Sequence, residues 1–90
     1  MEITPMGVAI TERFFEAVAL LKEEKSIRGL QTLTNRYGWN RWNTQTLRND
    51  PAGHVLKPEM MAALVRDYGV SADWLLLGAG EWKKKQARDR

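Results

Sequence analysis

Three glycines divide this chain into segments whose apolar residues recur at helical spacing. Gly38, Gly69 and Gly78 each directly follow such a segment. Glycine adopts the left-handed conformation that ends a helix at little cost, so each position predicts a helix C-terminus. No segment alternates apolar and polar residues as a half-buried strand would. The spacing therefore predicts an all-α fold.

Five short helices are expected within one domain, because 90 residues leave room for a single modest core. In the fifth helix, Trp74, Leu75 and Leu77 are expected to face that core. The expected helices run from about Thr11 to Lys25, from the N-cap Ser26 to Gly38, from the N-cap Asn40 to about Asn49, from Pro58 to Gly69, and from the N-cap Ser71 to Gly78.

The flanking segments complete the expected organisation. Residues 1–8 are predicted to be a loose N-terminal arm, residues 9–80 the helical domain, and residues 81–90 a basic C-terminal tail. The absence of cysteine excludes disulfides and thiolate metal sites. No apolar stretch approaches the roughly 20 residues that span a bilayer, and no signal peptide is evident, so we expect a soluble cytoplasmic protein.

Charge is distributed unevenly, although the formal net charge is only +3. Residues 1–24 and 58–82 each carry a net −3, whereas residues 25–57 carry +5 and residues 83–90 carry +4. A basic central segment is typical of a surface that binds a polyanion such as nucleic acid. The alternative is a solvated face whose charges only maintain solubility.

The main evidence for function lies in the second and third predicted helices and in the turn between them. Two short helices joined by a three- or four-residue turn containing glycine form a helix-turn-helix, which presents its second helix to a DNA major groove about 12 Å wide. The residues at apolar, small, glycine and capping positions of that motif are Leu33, Thr34, Tyr37, Gly38, Trp39, Asn40, Thr44 and Leu47.

A second motif lies further along, in the sequence from Tyr68 to Gly78. With these two motifs the chain resembles the lambda repressor-like (Cro/C1-type, XRE family) helix-turn-helix domains of phages and bacteria, over roughly residues 11–82. It departs from the family at Thr34, where alanine is usual, at Thr44, where an apolar residue is usual, and in a longer loop before the fourth helix. The resemblance implies a DNA-binding regulator.

Rotation of the third helix by about 100° per residue identifies its exposed side chains. With Thr44 and Leu47 inward, the outer face carries amide, threonine and tryptophan side chains with arginines on one flank. The resemblance implies that base-contacting residues are Arg41, Trp42, Gln45, Thr46 and Asn49, and that phosphate-contacting residues are Arg28, Gln31, Asn40, Arg48 and Lys57. The alternative is a solvated polar helix face.

Trp42 leaves three interpretations open. Its ring could contact a thymine methyl or a sugar, fold back over the turn beside Trp39, or anchor a protein partner. The third interpretation gives the alternative function, a helix-turn-helix scaffold that binds protein through the exposed Trp42 face as an antirepressor or adaptor. Trp82 likewise has two interpretations, a cover over the core edge or a dimer contact.

Catalysis is not expected. His54 is the only histidine and lies in a loop with proline and glycine, and the chain has neither a phosphate-binding glycine motif nor a metal-binding Glu/His pair. No cofactor, metal, membrane or small-molecule substrate is expected. The sequence therefore predicts a repressor-type transcriptional regulator that binds double-stranded DNA as a homodimer, with the dimer contact near the fifth helix and the tail.

Overall fold

The computed structural model describes residues 3–83, and within this range the chain is all-helical apart from a single antiparallel bridge between Val70 and Lys83. The prediction of an all-α fold with five helices is confirmed. The helices are α1 (Pro5–Glu23), α2 (Leu30–Tyr37), α3 (Arg41–Asn49), α4 (Pro58–Tyr68) and α5 (Ala72–Leu77).

The helix ends that glycine and capping residues predicted are found. Gly38, Gly69 and Gly78 adopt left-handed conformations, with φ of 71°, 74° and 73°. The side chain of Asn40 accepts a hydrogen bond from the amide of Asn43, and that of Ser71 accepts one from the amide of Trp74. These bonds satisfy amides that the first turn of a helix leaves unpaired.

The first helix is longer than predicted, because α1 begins at Pro5 rather than near Thr11. The Thr4 hydroxyl accepts a hydrogen bond from the Gly7 amide, and proline is favoured at the position that follows such a cap. Residues 5–8 are therefore helical and do not form the loose arm that we predicted. Residues 1 and 2 lie outside the described residues.

The prediction that Ser26 caps the second helix is wrong. Lys25 takes a left-handed conformation, with φ of 69°, and turns the chain so that the Ser26 amide bonds back to the Leu21 carbonyl. This is the Schellman arrangement that ends a helix. Ser26 therefore belongs to the end of α1, and α2 begins at Leu30 after an N-cap glycine.

The core lies where α1 packs against α3 and α5, with α2 packed against α3. Burial of apolar side chains in this core is the main source of stability in a domain of this size. The buried apolar residues are Phe14, Ala17, Val18, Leu21, Ile27, Leu33, Leu47, Leu56, Met60, Ala63, Leu64, Val70 and Leu75.

The prediction that Leu77 faces the core is wrong, since 73% of its surface is exposed. Leu75 is fully buried and Trp74 is half-buried against the core. Two residues along an α-helix turn the side chain by about 200°, so Leu75 and Leu77 point to opposite sides. Arg13 caps the C-terminal end of α5, because its guanidinium donates hydrogen bonds to the carbonyls of Leu75 and Leu76.

The end of the described chain folds back on the domain. The Trp82 carbonyl accepts a hydrogen bond of 2.8 Å from the Ser71 amide, and its ring packs at the edge of the core. The interpretation of Trp82 as a cover over the core edge is thus confirmed. The remainder of the predicted basic tail, residues 84–90, lies outside the described residues. No helix within residues 3–83 is long and apolar enough to cross a membrane.

Candidate nucleic-acid interface

The turn between α2 and α3 is held by aromatic packing. The Trp39 ring stacks on that of Tyr37 with centroids 4.9 Å apart and an interplanar angle of 22°, and it lies 6.3 Å from the Phe14 ring. The Trp39 amide also donates to the Thr34 carbonyl at the end of α2. A turn with both its backbone and its side chain engaged in this way gives α3 a fixed starting direction.

Two buried residues attach α3 to the domain. Thr44 and Leu47 are each 4% exposed, and the Thr44 hydroxyl donates a 2.8 Å hydrogen bond to the Asn40 carbonyl. That bond satisfies a polar group that would otherwise be costly to bury, so threonine is compatible with this inner position. Their inward orientation, predicted from the sequence, is confirmed.

The outer face of α3 is open to solvent. Trp42 is 83% exposed, and Gln45, Thr46 and Asn49 are exposed with it. Within residues 3–83 no hydrogen bond occupies the side chains of these four residues. The exposure of Trp42 excludes the interpretation in which its ring folds back beside Trp39. The face therefore presents an indole, two amides and a hydroxyl that are free to contact another molecule.

One flank of α3 carries its two basic residues. Arg41 and Arg48 are exposed, and neither forms an ion pair within the described part of the chain. Arg48 borders a groove of about 470 Å³ that the end of α1 and the start of α2 also line. On the α1 side this groove includes Lys22, a cation that the sequence interpretation did not assign to the site.

The opposite flank of α3 borders a larger groove of about 780 Å³ between α3 and α4. Asn40, Thr46 and Lys57 all line it, so this groove brings together three of the predicted contact residues. Asn43 lines it as well and was missed, although it lies one turn before Thr46 on the same side of the helix. The helical spacing was the signal that could have identified Asn43.

Arg28 and Gln31 lie at the start of α2, away from the α3–α4 groove. Both are exposed, and the N-cap residue Gly29 provides no side-chain cap to the first turn. The Arg28 backbone amide donates to the Thr32 hydroxyl, which holds the segment before α2 against the helix. The predicted phosphate-contacting residues therefore do not form one cluster. Asn40 and Lys57 line the α3–α4 groove, whereas Arg48 lines the other groove together with Gly29 and Leu30 at the start of α2.

Two further arginines are engaged within the domain. Arg66, which also lines the α3–α4 groove, donates two hydrogen bonds to Asp67, and Arg36 donates one to the Tyr68 hydroxyl. The hydrogen bonds from Arg66, and then from Tyr37, hold the pKa of the Asp67 carboxyl well below its usual range. Burial, followed by the hydrogen bond to Asp67, raises the pKa of Tyr37 to about 12.

Acidic groups also border the α3 face. Glu23 lines the groove beside Arg48, and Glu59 lines the α3–α4 groove. At the C-terminal end of α3, the Asp50 carboxylate lies 4.0 Å from Nε2 of His54, and both residues are exposed. Among residues 3–83 there is no cluster of three or more histidine, cysteine or acidic residues that could hold a metal ion. The chemistry available on α3 is therefore hydrogen bonding, apolar contact and attraction of anions.

Models of known protein families, curated proteins and solved structures gave no match to this chain.

Proposed function

We propose that this chain is a sequence-specific DNA-binding transcriptional regulator, in which α2, the Gly38–Asn40 turn and α3 form a helix-turn-helix of the lambda repressor type. The observation that carries the proposal is the exposed outer face of α3. That face holds uncharged groups able to contact base edges, on a helix fixed from behind by Thr44 and Leu47. Next to them lie two arginines that form no ion pair with any other residue from 3 to 83.

In this proposal α3 lies in the major groove and each exposed group has a distinct task. The amides of Gln45 and Asn49 suit an adenine edge, and Arg41 suits guanine or a phosphate. Thr46 and the Trp42 ring provide apolar contact to a thymine methyl or a sugar. These contacts to the bases would supply sequence preference, whereas contacts to the DNA phosphate backbone would fix the orientation of the domain.

The backbone contacts are proposed on both sides of α3. Arg28, Gln31 and Arg48 would meet one strand, and Asn40 and Lys57 would meet the other strand from the α3–α4 groove. The grooves on the two flanks of α3 support this division, because one contains Asn40 and Lys57 and the other contains Arg48 and the start of α2. A helix in the major groove has a phosphate backbone on each side.

A homodimer belongs to the same proposal, with α5 as the contact. Leu76 and Leu77 are 41% and 73% exposed at the end of this helix. Adjacent exposed leucines favour an apolar contact, and two domains on half-sites one helical turn apart bind far more tightly than one domain. We expect the preferred DNA site to be a palindrome for this reason.

Selection of binding sites from a random double-stranded DNA pool tests the proposal. We expect an enriched palindrome, and enrichment of a single half-site would retain DNA binding but exclude the dimer. Gln45→Ala should weaken binding to the selected site by about 1–3 kcal/mol. Asn35→Ala is the matched control, since Asn35 is an exposed amide on α2 outside the proposed contacts. No enrichment by the folded chain at low salt would refute the proposal.

The exposure of Trp42 favours one alternative, a scaffold of the same fold that binds a protein. An indole that is 83% exposed is a typical anchor of a protein interface. Salt distinguishes the two functions, because DNA affinity falls steeply as salt rises and a tryptophan-anchored contact changes little. Under the alternative, the chain would show no appreciable DNA affinity even at low salt.

A further inference from the structure

The end of α1 lines the groove of about 470 Å³ that Arg48 borders. The start of α2 lines it as well, and its uncharged lining residues are Phe15, Val18, Ala19, Gly29 and Leu30. Its charged lining residues are Lys22, Glu23 and Arg48. The groove therefore brings charged groups of α1 next to a basic residue of α3, although the two helices are far apart in the sequence.

The two cations of this groove are not neutralised by direct contact. Lys22 and Arg48 are exposed, and neither forms an ion pair with any other residue from 3 to 83. Glu23 is exposed as well and forms no ion pair among these residues, so its carboxylate engages neither cation. Two positive charges and one negative charge give the groove a net charge of +1.

The neighbouring acid, Glu24, is engaged outside this groove. Its carboxylate forms an ion pair with the Lys83 ammonium and accepts a hydrogen bond from the Ser26 hydroxyl. The hydrogen bond from Lys83, and then that from Ser26, lowers the pKa of Glu24. Within the described part of the chain, Glu23 is therefore the one acidic residue that lines the groove.

This groove lies next to the residues to which the proposed function assigns one DNA strand. Gly29 and Leu30, which line it, lie between Arg28 and Gln31 in the chain. A strand that contacts these residues and Arg48 therefore passes the opening of the groove. A cation at this opening attracts phosphate oxygens, whereas a carboxylate repels them.

We propose that Lys22 is a further phosphate-contacting residue, which binds the same DNA strand as Arg48. This inference rests on the proposed function and deepens it, because the DNA interface then includes α1 in addition to α2 and α3. Lys22 adds affinity without selecting a sequence, since phosphates are common to every base pair. Glu23 opposes this contact and limits the attraction of the flank for DNA.

Removal of the Lys22 charge tests the contact. Lys22→Gln should bind the selected DNA site at least roughly threefold more weakly at about 50 mM salt, and its log–log salt slope should be smaller by about 1 for each domain bound. The selected sequence should not change, and Lys22→Arg, which keeps the charge, should bind DNA as the native chain does.

Lys25→Gln is the matched control for this charge removal. Lys25 is an exposed cation just after α1 and lines neither groove. The salt slope of Lys25→Gln should equal that of the native chain. Circular dichroism should show the same helical content for all of these variants, because the substituted side chains are exposed.

Glu23 allows a test of opposite sign in the same groove. Glu23→Gln removes a charge that repels phosphate, so it should bind the selected site at least roughly twofold more tightly. Glu12→Gln is its control, because Glu12 is an exposed acid that lies about 16 Å away along α1. DNA affinity that is the same in Glu23→Gln and Glu12→Gln would overturn the proposal.

The position of the DNA beside the groove can be measured directly. The chain contains no cysteine, so a single introduced cysteine can carry an iron chelate that cleaves nearby DNA. Ala19 is exposed and lines the groove, and with Ala19→Cys we expect cleavage at the phosphate backbone on one flank of each half-site. Met6→Cys, about 20 Å away along α1, should cleave far less. Equal cleavage by the two variants, or none by Ala19→Cys, would overturn the proposal.

The outcomes separate this inference from the function on which it rests. If the native chain selects a DNA site but Lys22→Gln and Lys25→Gln have the same salt slope, the Lys22 contact alone is overturned. If the folded native chain selects no DNA site, both proposals are overturned.

Discussion

The Tyr37 hydroxyl donates a 2.5 Å hydrogen bond to the Asp67 carboxylate and thereby ties the end of α2 to the end of α4. Tyr37 also stacks on Trp39 in the turn before α3. The Tyr37 side chain therefore contacts both α4, through Asp67, and the turn before α3, through Trp39. Because the direction of α3 depends on this turn, we expect the pair to affect the proposed DNA binding although neither residue lies on the proposed DNA-binding face.

Removal of the Tyr37 hydroxyl is expected to lower stability by a modest amount. Tyr37→Phe retains the ring and its stacking on Trp39 but loses the bond to Asp67, which still has two hydrogen bonds from Arg66. We expect the free energy of unfolding to fall by about 1 kcal/mol in urea denaturation at pH 7. Tyr68→Phe is the comparison, and an equal or larger loss there would contradict a special role for Tyr37.

Acid is expected to destabilise the domain partly through Asp67. The folded protein lowers the pKa of this carboxyl, so between that value and about pH 4 protons bind the unfolded chain preferentially. Stability should therefore be lost as pH falls from about 4. Urea midpoints measured between pH 5 and pH 2.5 should decline less steeply for Asp67→Asn than for the native chain.

Part of this decline should remain in Asp67→Asn, since Glu24 also has a lowered pKa and acts in the same direction. Asp73→Asn serves as the control, because Asp73 is an exposed carboxylate in the first turn of α5. If Asp67→Asn and Asp73→Asn gave superimposable pH profiles, the bonds from Tyr37 and Arg66 would not be the cause.

Two leucines provide a direct test of the packing behind α3. Leu47 is 4% exposed and attaches α3 to the core, whereas Leu77 is 73% exposed at the end of α5. Leu47→Ala should reduce the free energy of unfolding by about 2–5 kcal/mol, and Leu77→Ala by less than about 0.5 kcal/mol. Thermal unfolding by circular dichroism measures both at low protein concentration. If both variants lost the same free energy of unfolding, the assignment of Leu47 to the core and of Leu77 to the surface would be contradicted.

Much of the helical pattern was predictable because its signals are local. Asn40 and Ser71 cap helices within three residues of themselves, and Gly38 supplies a left-handed conformation that few other residues favour. Thr4 followed by Pro5 was an equally local signal for the start of α1 and was overlooked. Rotation of α3 also identified its buried and exposed residues, since a helix fixes both from the sequence spacing alone.

The wrong predictions concern residues that adopt a conformation unusual for their type, or residues whose burial or position depends on tertiary contacts. The end of α1 was predicted near Lys25, but Lys25 occupies a left-handed position that glycine normally holds, so nothing indicated that Ser26 belongs to the end of α1 and not to the start of α2. Leu77 has the apolar character of a core residue, but it is the last residue of α5 and nothing in the described part of the chain buries it. Lys22 joins the site only because α1 packs beside α3, a contact that no local pattern encodes.

Asn40 allows the stability of α3 to be separated from its proposed contact with DNA. Its side-chain oxygen caps the helix, while its amide group remains available at the edge of the α3–α4 groove. Aspartate caps as well as asparagine, so Asn40→Asp should change the free energy of unfolding by less than about 0.5 kcal/mol. It also places a negative charge where we propose a phosphate, and DNA affinity measured by fluorescence anisotropy should fall at least roughly tenfold at low salt. Asn40→Ala should show the converse pattern, with about 1 kcal/mol lost in stability and a smaller loss of affinity. If Asn40→Asp bound DNA as tightly as the native chain, the N-terminus of α3 would not lie beside the DNA backbone.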